Sequence, residues 1–287
     1  MIWPRKHENT KKGLARSGFV LSCFRGCLIA LACSSCGATL MKLPSGPGAP
    51  APDAADALTQ ATTVCRGIRT LTAEVAASGK VSGQRFRASL LVGVASPAAA
   101  RIEAVAPFGA PAFIFAARDD DTTLLLPRDE RVLAHGKSEE VLEAVTGVTV
   151  SAADLRVILT GCVPELTNPV GTAYGAEWRR IVDVSSLTWL MLHRSSGEPW
   201  QLVWATHARW EVEYRDQLNG MPRSIRVMSA RGDDLAPGDF FDIRLALSQV
   251  ETNVTLGDDV FRVDIPRTAQ PITLDELRHA RPGVREN

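Results

Sequence analysis

The chain has 287 residues, 45% of them apolar and 22% charged, with a formal net charge of +0. That is ordinary globular composition, and a body of about 230 residues buries a sizeable core without metals or many disulfides. The charge is uneven: six Lys/Arg and one acid precede Cys33, which leaves 26 bases against 31 acids, net −5, for the rest; a mildly acidic body argues against nucleic acid as a partner.

The first segment, 1–32, opens with basic residues (Arg5, Lys6, Lys11, Lys12, Arg16) and ends in the apolar, small-residue run before Cys33. This is the layout of a secretory signal peptide. A spanning helix needs about 20 apolar residues, and Arg25 interrupts the run. Ile29-Ala30-Leu31-Ala32 before Cys33 resembles a bacterial lipobox, where cleavage leaves a lipidated cysteine at the new N-terminus. Cys36 is the alternative modified residue, and a cleaved soluble form or an uncleaved anchor are the other outcomes. Cys33 and Cys36 form a C-x-x-C, but no βαβ pattern surrounds it to make a redox site. Residues 33–53 hold Pro44, Pro47, Pro50 and Pro52 among Gly and Ala. They read as an extended tether; about 20 residues reach some 60 Å.

Asp53 is placed to cap a first helix whose apolar set (Ala54, Ala57, Leu58, Ala61, Val64, Cys65, Ile68, Leu71) has helical spacing. The period then becomes two. Phe86, Ala88, Leu90 and Val92 share one face, Arg85, Arg87 and Ser89 the other, with Gly79 and Gly83 marking a hairpin turn. Strands continue through "RIEAVAPFGAPAFIFAAR" and "TTLLLPRDERVLA", broken at Pro97, Pro107-Phe108-Gly109, Asp119-Asp120-Asp121 and Pro127. Two short helices follow. Ser138 is placed to cap the first, closed by Gly147; Ser151 to Asp154 forms a capping box for the second, closed by Gly161. Strands return in "PWQLVWATHARWEVEYRDQLNGMPRSIRVMSA", with Trp210, Val212 and Tyr214 on one face and a turn at Asn219-Gly220. "DFFDIRLALSQVE" puts Phe241, Ile243, Leu245 and Leu247 on one face, and "VFRVDIP" reads as the last strand. Residues 269–287 read as a polar tail with at most one short helix. The expected class is mainly β with helices (α+β). Short sequential strands favour one strongly curved antiparallel sheet, an incomplete β-barrel closed by a helical lid.

No nucleophile elbow, phosphate loop, dinucleotide fingerprint or His-Glu-x-x-His is present, and the five histidines are scattered. The expectation is a protein without enzymatic activity, metal or cofactor.

Several stretches in combination resemble the LolA/LolB superfamily of periplasmic lipoprotein carriers and acceptors, most closely LolB-like lipoproteins. They are "RFRASLLV", "RIEAVAPFGAPAFIFAA", "SEEVLEAVTGVTVSAADLRVILTGC" and "VETNVTLGDDVFRVDIP", and the resemblance spans 54–268. It implies an apolar cavity under the lid that shelters acyl chains of a lipoprotein or lipid, since each CH₂ exposed to water costs about 0.8 kcal/mol. Candidate lining residues are Phe86, Leu90, Val92, Ile102, Phe113, Phe115, Leu124, Leu142, Val145, Leu155, Ile158, Trp204, Trp210, Val212 and Phe241; each is also a plausible plain core residue. In LolB a protruding loop with an apolar residue helps deliver lipoproteins into the membrane; here the loop is Pro107-Phe108-Gly109. The resemblance further implies a lipid-anchored monomer of the cell envelope, at the periplasmic face of the outer membrane. Its partner would be a periplasmic carrier of the LolA type. In that oxidising compartment Cys65 and Cys162 tend to pair, the alternative being two buried thiols. The competing class is an envelope sensor or assembly lipoprotein that binds a protein partner without lipid transfer.

Overall fold

The computed structural model describes residues 39–119, 121–186, 188–207, 209–230 and 240–280. Cys33, Cys36 and the leader lie outside them, as does Asp120. The described residues from Lys42 onward form one compact unit, which holds every element that follows.

Short β1 (Ala49–Pro50) precedes α1 (Ala54–Arg66). A run of strands follows: β2 (Thr70–Val81), β3 (Gln84–Ala95), β4 (Ala99–Val105), β5 (Ile114–Arg118), β6 (Asp121–Leu126) and β7 (Arg131–Gly136). Helices α2 (Ser138–Thr146) and α3 (Ala152–Thr160) separate it from β8 (Val170–Tyr174), β9 (Trp178–Asp183), β10 (Thr188–His193), β11 (Gln201–Thr206), β12 (Trp210–Arg215), β13 (Ser224–Ser229) and β14 (Phe241–Thr252). A 3₁₀ turn (Asp258–Phe261), β15 (Gln270–Pro271) and α4 (Leu274–Ala280) end the described chain.

Among the described residues all fifteen strands belong to one sheet, ordered β1-β8-β9-β10-β11-β12-β13-β14-β2-β3-β4-β5-β6-β7-β15. Neighbours are antiparallel except β15 with β7. The sheet is not closed: β1 and β15 are its edges. The alternation β2 to β4 follows from period-two burial, with Leu71, Ala73, Val75 and Ala77 all on the buried face. Among the described residues the packed core runs from Ala51 to Leu277, so its packing residues all lie in the segment from Lys42 onward.

Several expectations are corrected. Helix α1 stops at Arg66, because Gly67 turns the chain and Leu71 faces the core from β2 instead. Asp53 precedes α1 without capping it; both its carboxylate oxygens accept from Arg179, at 2.9 and 2.8 Å. The β2–β3 turn is Ser82-Gly83, both at positive φ, as a two-residue hairpin of this hand demands. Gly79 lies inside β2, where a Cβ would overlap the carbonyl oxygen of Asp242 and sit 2.9 Å from Ile243 Cα. Ser138 is the first residue of α2, and its hydroxyl accepts from the Ala152 N–H (3.2 Å), coupling the two helix starts. "VFRVDIP" is no strand: Arg101 donates to the carbonyls of Val260 (3.0 Å) and Arg262 (2.8 Å), so those backbone groups are satisfied without a ladder. The segment read as a polar tail packs through α4, with Leu277 fully buried and Arg278 paired to Glu143 of α2.

Candidate functional site: the covered sheet face and its rim

Cross-strand register identifies the covered face. One apolar row runs Ala73–Val92–Ile102–Phe115–Leu124–Leu133 across β2 to β7. A second runs Tyr214–Ile225–Leu245–Ala77 across β12, β13, β14 and β2. Helix α2 lies over β6, α3 over β3, β4 and β13, and α1 over β8 to β11. Helices α2 and α3 form where the sequence signals them. Ser151 and Asp154 make a reciprocal capping box, and Gly147 and Gly161 close α2 and α3 in the left-handed conformation.

The cavity candidates take three positions. Val92, Ile102, Phe113, Phe115, Leu124, Leu142, Val145, Ile158, Trp210, Val212 and Phe241 are buried in the core between sheet and helices. Leu90 and Leu155 are half-buried against it, and Phe86 is half-buried near the β2–β3 turn. Trp204 is corrected. It pairs with Glu213 whereas Ala205 pairs with Val212, so side-chain alternation puts it on the opposite face. A separate pocket of about 200 Å³ lies between α1 and β11–β12, lined by Gln60, Val64, Gly161, Trp200, Leu202 and Tyr214. It is below the roughly 300–1,000 Å³ of small-molecule sites. Beside it Cys65 and Cys162 are joined by a disulfide, with Cα atoms 5.3 Å apart, tying α1 to the end of α3.

One polar feature of the covered face was not legible in the sequence. The Trp210 indole N–H is buried and meets no acceptor among the described residues. Its ring stacks on His207, with centroids 4.8 Å apart. Tyr214, on the same face, donates weakly to the Val157 carbonyl (3.4 Å), and burial pushes its pKa up. Buried Arg179 also escaped sequence reasoning. It donates to Asp53, to the carbonyls of Gly175 (3.0 Å) and Trp178 (2.8 Å), and stacks on Trp200 (4.8 Å). Its guanidinium holds the Asp53 carboxyl below the usual range. Asp183 is fully engaged, accepting from Thr167 N and from Ser185, whose hydroxyl bond lowers its pKa. These carboxylates brace loops and offer no free base. Among the described residues no cluster of three His, Cys, Asp or Glu side chains forms a metal site.

The rim is where apolar groups meet solvent. Phe108 sits in the β4–β5 connection, 91% exposed. The loop is pinned below it by Ala104 N–H to Phe113 O (3.0 Å) and Ala112 N–H to Ala104 O (2.9 Å). Arg128, from the β6–β7 turn, donates to the carbonyls of Ala110 (3.0 Å) and Phe108 (3.5 Å). These bonds fix the loop with the phenyl ring outward, flanked by exposed Pro107 and Gly109.

No protein-family model and no curated protein matches the chain. Solved structures do. A LolA superfamily protein from Nitrosomonas europaea is 13% identical, with a TM-score of 0.47 over 73% of this chain and 97% of its own. A DUF1329 family protein from Desulfovibrio piger is 11% identical, with a TM-score of 0.47 over 75% and 98%. A putative outer membrane lipoprotein-sorting protein domain from Vibrio parahaemolyticus is 8% identical, with a TM-score of 0.44 over 72% and 94%.

Proposed function

We propose that this chain is an envelope lipoprotein whose covered sheet face receives acyl chains and hands them to the outer membrane. In this reading the sheet is an incomplete barrel and α2 and α3 its lid. Residues 1–32 are removed, Cys33 (or Cys36) carries the lipid, and 33–53 tethers a monomeric body at the periplasmic face. A LolA-type carrier supplies the cargo. No helix among the described residues is long and apolar enough to cross a membrane.

The observation that carries the proposal is Phe108. A phenyl ring at a loop tip, held outward by backbone and Arg128 hydrogen bonds, is covered by little among the described residues and gains when apolar material receives it. The two apolar rows beneath the helices, across β2 to β7 and β12 to β14, carry no charged side chain, so a chain seated there can also be released. Because that face is filled as it stands, uptake requires α2 and α3 to lift from the sheet. The Trp210 N–H then offers a donor to an ester oxygen of the cargo.

The test is Phe108→Glu, assayed for transfer of a fluorescent acyl probe from loaded protein to liposomes. Burying a Phe side chain contributes about 1.5–3 kcal/mol, so transfer should fall about tenfold or more while probe uptake and melting stay unchanged. Unchanged transfer sinks the role of the loop. The second reading, binding of a protein partner, is favoured by the packed interior and the small pocket. It predicts no probe uptake at all.

A further inference from the structure

Strand direction alternates along the sheet, so the end at which β2 finishes is also where β4, β6, β9 and β13 finish and β8 and β14 begin. Four of the large exposed apolar residues gather at that end: Phe108, Phe240 before β14, Val184 after β9 and Val170 at the start of β8. Leu91 and Val105, also exposed, lie on the outer face of β3 and β4 just below Phe108.

The same outer face is basic beside them. Lys80 lies directly opposite Arg85 and Ser78 opposite Arg87 across β2–β3. On the other side of β2, Asp242 faces Lys80 and Arg244 faces Ser78. Arg226 in turn faces Arg244. Lys80, Arg85, Arg87 and Arg244 are exposed. Lys80–Arg85 and Arg226–Arg244 are directly opposed like charges, an arrangement that weakens a sheet. Among the described residues, Asp242 is the acid placed among them, and both its oxygens accept from Arg226 at 2.7 Å. The next acids in these rows are on β12: Glu211 lies beyond Met228, and Glu213, buried and bonded to Arg215, lies beyond Arg226. Among the described residues, cations thus concentrate at one place, against the sheet's own stability, next to exposed aromatic rings.

We infer that this end of the sheet docks on an anionic lipid surface. Lys80, Arg85, Arg87 and Arg244 meet headgroup phosphates, and Phe108 and Phe240 enter the apolar layer. Charge complementarity selects phosphate, and the rings beside it select a bilayer over an acidic protein. The tether permits it. It enters at the other end of the sheet, where Ala49 pairs with Ala173. Even so, about 15 residues from Cys33 to Gly48 span up to roughly 50 Å, and the 12-residue β2 runs only about 40 Å. The inference rests on the proposed function only in placing the protein at a membrane.

The test is cosedimentation of the body from Lys42 onward with vesicles of phosphatidylcholine, alone or mixed with phosphatidylglycerol. Acyl-probe uptake is read on the same samples. The body should bind the phosphatidylglycerol vesicles, more weakly as salt rises. The double variant Arg85→Gln/Arg87→Gln, with unchanged melting, should bind at least about tenfold more weakly. Equal binding to both vesicles, or an unaltered variant, overturns the inference. Release by low-millimolar inorganic phosphate overturns it in favour of a free phosphate ligand, and binding to neither vesicle in favour of an acidic macromolecule. Uptake without vesicle binding sinks the docking surface alone; vesicle binding without uptake sinks the acyl reading alone.

Discussion

Replacing both Cys65 and Cys162 by Ala tests how firmly the end of α3 is tied to α1. The bridge closes a loop across 97 positions. In the loop-entropy treatment a closure of that length removes about 4.7 kcal/mol of unfolded-state freedom, and native disulfides of this kind contribute about 2–5 kcal/mol. Both cysteines are buried, so their removal also leaves two small voids at the α1–α3 contact. The expected loss is about 4–5 kcal/mol, or about 8–20 °C in melting temperature for a body of this size. The assay is urea unfolding of the oxidised protein and the double variant, reading the shift in midpoint. Amide exchange adds a local prediction: protection should fall first in α3, since its end loses its covalent tie to α1. A difference under about 1 kcal/mol, with α3 still protected, would refute the reasoning, because the unfolded chain would then gain nothing from the cut.

Two other outcomes are expected. Asp53→Asn should cost about 1–2 kcal/mol, since it leaves buried Arg179 short of its charged partner while half-exposed Asp53 itself is partly screened. The Asp53 carboxyl titrates below its unfolded value of about 3.9, so its contribution is complete above that pH and disappears as pH falls through the folded value; an acid titration of stability in the two proteins should converge there. Gly79→Ala should destabilise by about 1–3 kcal/mol or more by forcing β2 and β14 apart, seen as faster amide exchange at Ile243 and Leu245, and a neutral result would mean the strands separate freely.

Where polarity alternated cleanly, the sequence sufficed. Phe86 to Val92 and Trp210 to Tyr214 fall on the faces their spacing predicted, and Gly147, Gly161 and the Ser151–Asp154 box end and start helices as written. Strands β8 to β10 were missed for a physical reason. In β9 the covered positions are Arg179, Ile181 and Asp183, two ionic groups made tolerable by partners distant in sequence, Asp53 and Thr167. A hydrophobic alternation test rejects such a strand. Trp204 failed for the opposite reason: every position from Leu202 to Thr206 is buried, so burial carries no information about face and only register decides. The basic rows were recoverable in principle. Once the turn is placed at Ser82-Gly83, Lys80 must face Arg85; reading Gly79 as part of the turn concealed it.

The pairing of β2 with β14 has a consequence for how the chain is made. Its partners lie 160 to 181 positions apart, from Val81 with Phe241 to Leu71 with Thr252. Contacts of such range close late, because the loop entropy must be met before the ladder rewards it. Until Phe241 has emerged, β2 can pair only with β3, and the two halves of the sheet remain separate meanders. A polypeptide threaded N-terminus first through a narrow pore therefore has no finished fold to jam it, and the seam that unites the molecule zips only after almost all of it has passed.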